Sequence, residues 1–220
     1  MEKNKITNKI TTVLFDFDGT LVDTNEVIIQ SFQYTFMKVL GEEKPVEDII
    51  RTFGEPLALT MSKMLDIPPE EAMEIYRSYH YQKFEELIRI FPGMMALIKE
   101  LKKRGYKLAI VTSRLRNTTI QGLKKYDMEQ YFDYIVTADD TDKHKPDPTP
   151  IAIALEKLNS RPEEALMVGD SMFDILCAHN AGVKSVLVGW AIAVTPEDKI
   201  GPNRPTYVVE RASEILTLLG

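Results

Sequence analysis

The amino-acid sequence predicts an α/β fold, and three observations support this. Short apolar runs of strand type recur at residues 12–17, 107–112, 134–137, 165–168, 185–188 and, more weakly, 207–209. Helical spacing of apolar residues fills most intervals between them, at residues 94–104, 116–126, 148–158, 173–180 and 211–219. The 24–91 stretch breaks this alternation and looks helical throughout. Because strands that alternate with such helices form βαβ units, we expect a doubly wound, mainly parallel, Rossmann-like sheet with an inserted all-helical cap.

The cap is predicted to contain three main helices. The first begins at Asp23 or Thr24, either of which can cap it, and ends at Gly41. The second covers residues 57–66, and the third opens at the proline pair 68–69, which is followed by two glutamates. We therefore predict an α/β core of residues 1–22 and 93–220 and a cap of residues 23–92.

Composition narrows the classes of partner. A hydrophobic content of 44% is enough for a buried core, and the net charge of −6 argues against nucleic acid or an anionic membrane as the main partner. Cys177 is the only cysteine, which fits a reducing cytoplasm. The N-terminal segment lacks the apolar centre of a secretory signal, and no apolar run approaches the roughly 20 residues of a membrane span. We expect a cytoplasmic protein.

The first candidate for chemistry is the segment Asp16-Phe17-Asp18-Gly19-Thr20, directly after the first predicted strand. Alternation along a strand places Asp16 and Asp18 on the same side if the extended form continues that far, and Gly19 permits a sharp turn. Two carboxylates at the end of a strand can divide their roles. One stays ionised to attack or to bind a metal, while the other carries a proton.

Two further strand ends carry groups that can bind an anion. Thr112 and Ser113 offer a hydroxyl and backbone N–H groups where a strand passes into a helix, although an ordinary helix N-cap is the better explanation for this segment taken alone. Lys145 precedes Pro146 in a stiff loop and can neutralise a transferring phosphoryl group, although a solvated loop lysine is the simpler interpretation.

The fourth segment is Gly169-Asp170, at the end of another apolar strand, with Asp174 about one helical turn later. Oxygen ligands from Asp16 and Asp170 suit a hard divalent ion such as Mg²⁺, and the three scattered histidines give no zinc site. Because parallel strands bring their carboxyl ends to one edge, the four segments are expected to meet there.

The order and spacing of these four segments resemble the haloacid dehalogenase (HAD) superfamily across nearly the whole chain, and the inserted helices resemble its type C1 cap. Residues 20–26 and 162–170 are similar to the pyrophosphatase PpaX and phosphoglycolate phosphatase group. The resemblance implies a Mg²⁺-dependent phosphatase that acts on a small phosphorylated metabolite or pyrophosphate through an aspartyl phosphate, in a chain that is a monomer or a weak dimer.

The resemblance also implies the role of each residue. Asp16 is the nucleophile and Asp18 the general acid and base. The metal is held by the Asp16 carboxylate, the Asp18 carbonyl and Asp170, with Asp174 behind this set. Phosphoryl oxygens are bound by a group of residues from three segments: Gly19, Thr112, Ser113 and Lys145.

Other functions stay open at this stage. A sugar phosphomutase related to β-phosphoglucomutase would also keep an acid at Asp18, but those enzymes carry a histidine where this chain has Ile28. A non-catalytic binding protein with the same fold is a second alternative. The cap is expected to set the substrate, and its loop residue Arg51 is a candidate for an anion contact or a plain surface arginine.

Overall fold

A computed structural model describes residues 9–220. Over this range the strands are β1 (Thr12–Phe15), β2 (Val22–Asp23), β3 (Arg89–Ile90), β4 (Lys107–Val111), β5 (Tyr134–Val136), β6 (Ala165–Gly169), β7 (Lys184–Val188) and β8 (Tyr207–Val209). The α-helices are α1 (Asn25–Leu40), α2 (Val46–Ile50), α3 (Leu57–Met64), α4 (Pro69–Leu87), α5 (Met94–Lys103), α6 (Arg116–Lys125), α7 (Thr149–Lys157), α8 (Met172–Asn180) and α9 (Ala212–Leu219).

Six strands form one parallel sheet in the order β5-β4-β1-β6-β7-β8. The chain first builds outward from β1 through β4 to β5, then returns to the other side of β1 and continues through β6. The sheet therefore changes direction at β1, and a crevice opens beyond the carboxyl ends of β1, β4 and β6. The predicted doubly wound, parallel α/β fold is confirmed.

The β1 strand supplies apolar side chains to both faces of the sheet. Val13 and Phe15 belong to a cluster that includes the buried sides of α5 and α9, whereas Leu14 belongs to a second cluster with α7 and α8. All four residues of β1 are buried, as expected for a central strand covered on both faces. The period of two fixes which neighbours each side chain meets, so the end of β1 has little freedom to move.

The β1 strand ends at Phe15, and the chain turns sharply four residues later, at Gly19. Gly19 has a φ of 68° and its N–H donates to Val22 O at 2.9 Å. The turn leads into β2, which pairs antiparallel with β3, so the entry to and exit from the cap lie side by side. Trp190, from the loop after β7, reaches this point: its Nε1 donates to Gly19 O at 3.1 Å, and its ring centroid lies 5.6 Å from that of Phe91.

The four helices between β2 and β3 share an apolar cluster of their own. Phe32 of α1 packs edge-on against Tyr76 of α4 with ring centroids 5.1 Å apart, and Ile49 of α2 and Met61 of α3 complete the centre. At the base of the cap, Phe84 of α4 joins the cluster of the α/β core instead. The division into a core of residues 1–22 and 93–220 and a cap of residues 23–92 stays a prediction.

Local details of the cap differ modestly from expectation. The first helix ends at Leu40 with Gly41 in the left-handed conformation, as predicted, and at its start Asn25 N donates to the Asp23 carboxylate at 3.1 Å. Helix α2 was not predicted, because five residues give no readable period. Over residues 9–220, no helix combines the length and apolar character needed to span a bilayer.

Candidate active site

The predicted site residues of four segments meet at the carboxyl edge of the sheet. Asp16 and Asp18 follow β1, Thr112 and Ser113 follow β4, and Asp170 follows β6. Lys145 comes from the loop between β5 and α7 and is buried among them. All six line one cavity of about 470 Å³ that lies between the core and the cap.

Asp16 is a buried carboxylate with little to balance its charge. Lys145 Nζ lies 3.0 Å from Asp16 Oδ1, close enough for an ion pair, but without the alignment of a hydrogen bond, so Oδ1 has no hydrogen-bond donor within residues 9–220. Burial raises the pKa of Asp16 from 3.8 to about 7; Lys145 opposes this rise, and Asp174 and Asp18 add to it. A further cation beside Asp16 would stabilise its ionised form.

Lys145 is held in place by two partners besides Asp16. Its Nζ donates to Asp174 Oδ1 at 2.5 Å and to Val111 O at 3.3 Å. Burial opposes its charge, but the neighbouring carboxylates of Asp16 and Asp174 outweigh burial and raise the pKa of Lys145 above its ordinary value. The lysine is therefore a fixed positive charge at the floor of the cavity.

Asp170 and Asp174 have different surroundings. Both Asp174 oxygens are engaged, Oδ1 by Lys145 and Oδ2 by the Ser171 N–H at 3.1 Å and hydroxyl at 2.6 Å. Asp170 lies against Gly19, where an added Cβ would come 2.0 Å from Oδ2. Burial, followed by the charges of Asp174 and Asp16, raises the pKa of Asp170 well above its usual range.

This set of oxygens fits a magnesium ion. Ligand atoms of Asp16, Asp170 and Asp174 lie within 4.8 Å of one another, and all three residues are buried. Because both oxygens of Asp174 already accept hydrogen bonds, Asp16 and Asp170 are the carboxylates left to bind a cation. Mg²⁺ prefers one or two carboxylates plus other oxygen ligands, and a cation would offset the like charges gathered here.

Groups suited to an anion line the same cavity as these carboxylates. Thr112 is buried, and its Oγ1 accepts from the Arg114 N–H at 3.2 Å, so the hydroxyl proton is free to donate. Ser113 makes no hydrogen bond within the described part of the chain, which leaves its N–H and hydroxyl available. Gly19 lines the cavity, but its own N–H is used by Val22 O, so it contributes space and not a donor.

The cap closes the cavity with the loop between α2 and α3. Thr52, Phe53 and Glu55 line the cavity from this loop. At Gly54, which has a φ of 87°, an added Cβ would lie 2.8 Å from the Phe173 ring, so the loop packs directly against the core. Replacing this hydrogen by a side chain would push the loop away from the core.

The structure corrects the expectation for Arg51. Its side chain is 77% exposed, pairs with Asp48 at 2.9 Å and does not line the cavity. Asp48, three residues earlier on α2, pairs with the guanidinium of Arg51, which directly follows this helix, on the outer face of the cap. The loop faces the site, but this residue of it does not.

Two residues of the cavity were missed by sequence reasoning. Arg114 Nη1 donates to Asp18 Oδ1 at 2.9 Å, and Arg114 Nη2 lies 2.5 Å from Nε2 of His80, which belongs to α4. The position of Arg114 directly after Thr112 and Ser113 was an available signal. His80 offered none, since it continues a buried stripe of α4 with Tyr76 and Phe84.

Comparison with known proteins places this chain in one family. The model of the haloacid dehalogenase-like hydrolase family matches residues 13–188. A provisionally named pyrophosphatase PpaX from Caldanaerobacter subterraneus subsp. tengcongensis is 43% identical over 96% of this chain and 95% of its own length. The pyrophosphatase PpaX of Bacillus mycoides is 40% identical over 96% and 97%, respectively.

Solved structures agree with this family. A haloacid dehalogenase-like hydrolase from Streptococcus pneumoniae superposes with a TM-score of 0.85 at 30% identity, covering 96% of this chain and 99% of that one. A provisionally named phosphoglycolate phosphatase from Lactobacillus plantarum gives 0.86 at 26% identity over 96% and 100%. The resemblance predicted from the four segments is confirmed: the chain belongs to the haloacid dehalogenase-like hydrolase family and is an enzyme of its phosphohydrolase type.

Proposed function

We propose that this enzyme is a Mg²⁺-dependent phosphohydrolase that passes through an aspartyl phosphate on Asp16. The observation that carries the proposal is the meeting of Asp16 with Lys145 at 3.0 Å, in a buried group of carboxylates whose ligand atoms lie within 4.8 Å of one another. A nucleophile, a fixed cation and a set of oxygen ligands for a metal thus share one cavity.

In the first step, a carboxylate oxygen of Asp16 bonds to phosphorus, and the bond from phosphorus to the leaving oxygen breaks. Asp18 gives its proton to that oxygen. In the second step, the Asp18 carboxylate takes a proton from water, whose oxygen attacks the aspartyl phosphate and releases phosphate from Asp16. Asp18 Oδ2 is suited to the proton, because Oδ1 is held by Arg114.

The remaining residues hold the phosphoryl group. Lys145 balances the charge on its oxygens, and Thr112 and the Ser113 N–H donate hydrogen bonds to them. Asp174 fixes the position of Lys145 through the 2.5 Å contact. Bound Mg²⁺ supplies positive charge that favours ionised Asp16 and withdraws electrons from phosphorus; Asp16, Asp170 and the Asp18 carbonyl would hold it.

Pyrophosphate is the proposed first substrate, and the printed names of the two PpaX relatives support it. Phosphoglycolate is the second candidate, supported by the name of the Lactobacillus plantarum neighbour. The phosphomutase alternative is weakened because Ile28, and not a histidine, lines the cavity at the cap entry. A coupled assay separates these cases, since a mutase would isomerise a sugar phosphate without net release of phosphate.

The test is phosphate release from pyrophosphate and phosphoglycolate with Mg²⁺ present. We expect activity in the wild type, its loss on chelation, and background rates for Asp16→Asn, which keeps the shape of the side chain but not the nucleophile. The matched control is Asp48→Asn, since Asp48 lies on the outer face of the cap. A wild-type enzyme inert toward a broad phosphorylated panel, or a fully active Asp16→Asn variant, would overturn the proposal.

The proposal also covers partners, location and assembly. The substrate is a small phosphorylated molecule, and the net charge of −6 disfavours nucleic acid and anionic membranes. A cytoplasmic location is supported by the single cysteine. We propose a monomer or weak dimer, which size-exclusion chromatography with light scattering would test.

A further inference from the structure

Arg114 is a buried cation that lies on the Asp18 side of the cavity. Its side chain is 7% exposed, and Nη1 pairs with Asp18 Oδ1 at 2.9 Å. Lys145, which is equally buried, contacts Asp16 and Asp174 instead. The two cations are thus divided: one beside the attacking carboxylate, and one beside the carboxylate that handles the proton.

The cap holds the Arg114 guanidinium in a fixed plane. Its Cζ lies 4.2 Å from the centroid of the Phe84 ring, and Nη2 lies 2.5 Å from His80 Nε2. Burial and the charge of Arg114 lower the pKa of His80 to about 2, so the ring is neutral. Because a guanidinium can only donate, Nε2 is the acceptor in this contact. The other ring nitrogen, Nδ1, lies 3.2 Å from Ser31 Oγ of helix α1, which fixes the imidazole in turn.

Some N–H groups of the Arg114 guanidinium have no hydrogen-bond acceptor among the described residues. A guanidinium carries five N–H groups. Within residues 9–220, the side-chain contacts of Arg114 use Nη1 and Nη2, and the buried Nε has no acceptor. A buried donor without a partner is unfavourable, and an anionic oxygen brought into the closed site would remove that penalty. The planar fork of arginine also matches the spacing of phosphate oxygens.

The proton-transfer step tells which part of the substrate Arg114 meets. Asp18 protonates the leaving oxygen, so the leaving group lies beside Asp18 and therefore beside Arg114. A leaving group with no anionic group of its own offers no further charge there, whereas the leaving group of a phosphoanhydride is itself a phosphate with anionic oxygens. As the bond from Asp16 to phosphorus forms, the bridging bond breaks, its electron pair stays on the bridging oxygen, and the Asp18 proton joins that oxygen.

We infer that Arg114 binds the leaving group of the substrate, with His80 as its positioning residue, and thereby selects phosphoanhydrides over phosphate monoesters whose leaving group carries no anionic group. This inference rests on the proposed function, since it takes Asp18 as the proton donor. It assigns the choice of substrate to a core arginine whose orientation is set by two cap helices.

The test compares kcat/KM for pyrophosphate with kcat/KM for p-nitrophenyl phosphate, a monoester whose leaving group carries no phosphate oxygens. In Arg114→Gln we expect the ratio of the two values to fall about 10- to 100-fold, the effect of losing one or more hydrogen bonds to a charged group. The matched control is Arg116→Gln: this arginine is two residues away, 43% exposed, and paired with Asp140 outside the cavity. Its ratio should stay at the wild-type value.

Further variants separate selectivity from folding. Arg114→Lys keeps the charge without the fork and should lower the ratio less than Arg114→Gln, with thermal melting checked for each. His80→Leu removes the acceptor and should shift the ratio in the same direction, while His80→Gln restores an acceptor and most of the ratio. Equal losses for both substrates in Arg114→Gln would overturn the inference, because they would indicate a role in folding or in Asp18 alone. A wild type inactive on both substrates would instead overturn the proposed function, and the inference with it.

Discussion

Replacing Gly19 by alanine tests how the turn after β1 and the proposed metal site depend on each other. The new Cβ would lie 2.0 Å from Asp170 Oδ2 and 2.5 Å from its Cγ, far inside van der Waals contact. The φ of 68° adds strain of about 1–2 kcal/mol for a residue with a side chain. The Asp170 carboxylate therefore has to rotate away, and the turn has to absorb the remainder.

Gly41→Ala is the control that isolates the backbone contribution. Gly41 has a φ of 77°, but an added Cβ meets no atom within 4 Å. Both variants share the backbone strain and the effect of alanine on the unfolded chain. The difference between them measures the clash with Asp170, which we expect to add about 1–3 kcal/mol of destabilisation, as overpacking does elsewhere.

The assay has two parts. Urea unfolding with chelator present gives the free energy of unfolding of each variant, and phosphate release across a Mg²⁺ titration gives the metal concentration for half-maximal rate. We expect that concentration to rise about 10-fold or more in Gly19→Ala, since Mg²⁺ tolerates displaced ligands poorly, and to be unchanged in Gly41→Ala. Equal unfolding free energies and equal metal dependence in the two variants would refute the reasoning.

Three further predictions concern the core, the acid response and the buried lysine. Leu14→Ala should lower the free energy of unfolding by about 2–5 kcal/mol in urea titrations, against about 0.5 kcal/mol for exposed Leu59→Ala; similar losses would contradict the assigned core. His80 has a pKa of about 2 when folded against 6.5 unfolded, so its contribution to stability is complete above pH 6.5 and declines as the pH falls toward 2. Acidification from pH 6.5 to 4.5 should then destabilise the wild type by about 2 kcal/mol more than His80→Gln, and equal urea midpoint shifts would argue against it. Asp174→Asn should lower kcat about 10- to 100-fold because Lys145 loses its closest carboxylate; an unchanged kcat would mean that Asp174 has no part in orienting Lys145.

The central strands of the sheet were predictable because each of them is a continuous apolar stretch of the sequence. The apolar runs of β1, β4 and β6 have all or nearly all of their residues buried, which sequence alone displays as continuous apolar stretches. By contrast, β2 and β3 have two residues each and exist only because they pair with each other across the cap. No window along the chain encodes that pairing.

The candidate site also contains residues that the sequence predicts and contacts that it does not. Asp16, Thr112 and Asp170 were predictable because each follows a strand, and the carboxyl ends of parallel strands share an edge. The contact of Arg114 with His80 joins residues 34 positions apart on different domains of the prediction, and helix periodicity assigns His80 to the core. Such contacts depend on how the cap packs against the α/β core, and the spacing of residues along the sequence does not specify that packing.

The position of Trp190 gives the enzyme an internal optical reporter. It is the only tryptophan in the chain, its indole N–H donates to Gly19 O in the turn after Asp16, and its ring packs on Phe91, where the chain leaves the cap. Any opening between the cap and the core at this point changes the environment of the only tryptophan in the chain. Tryptophan emission from the unlabelled protein therefore reports from a single site whether the cap is open or closed at this point.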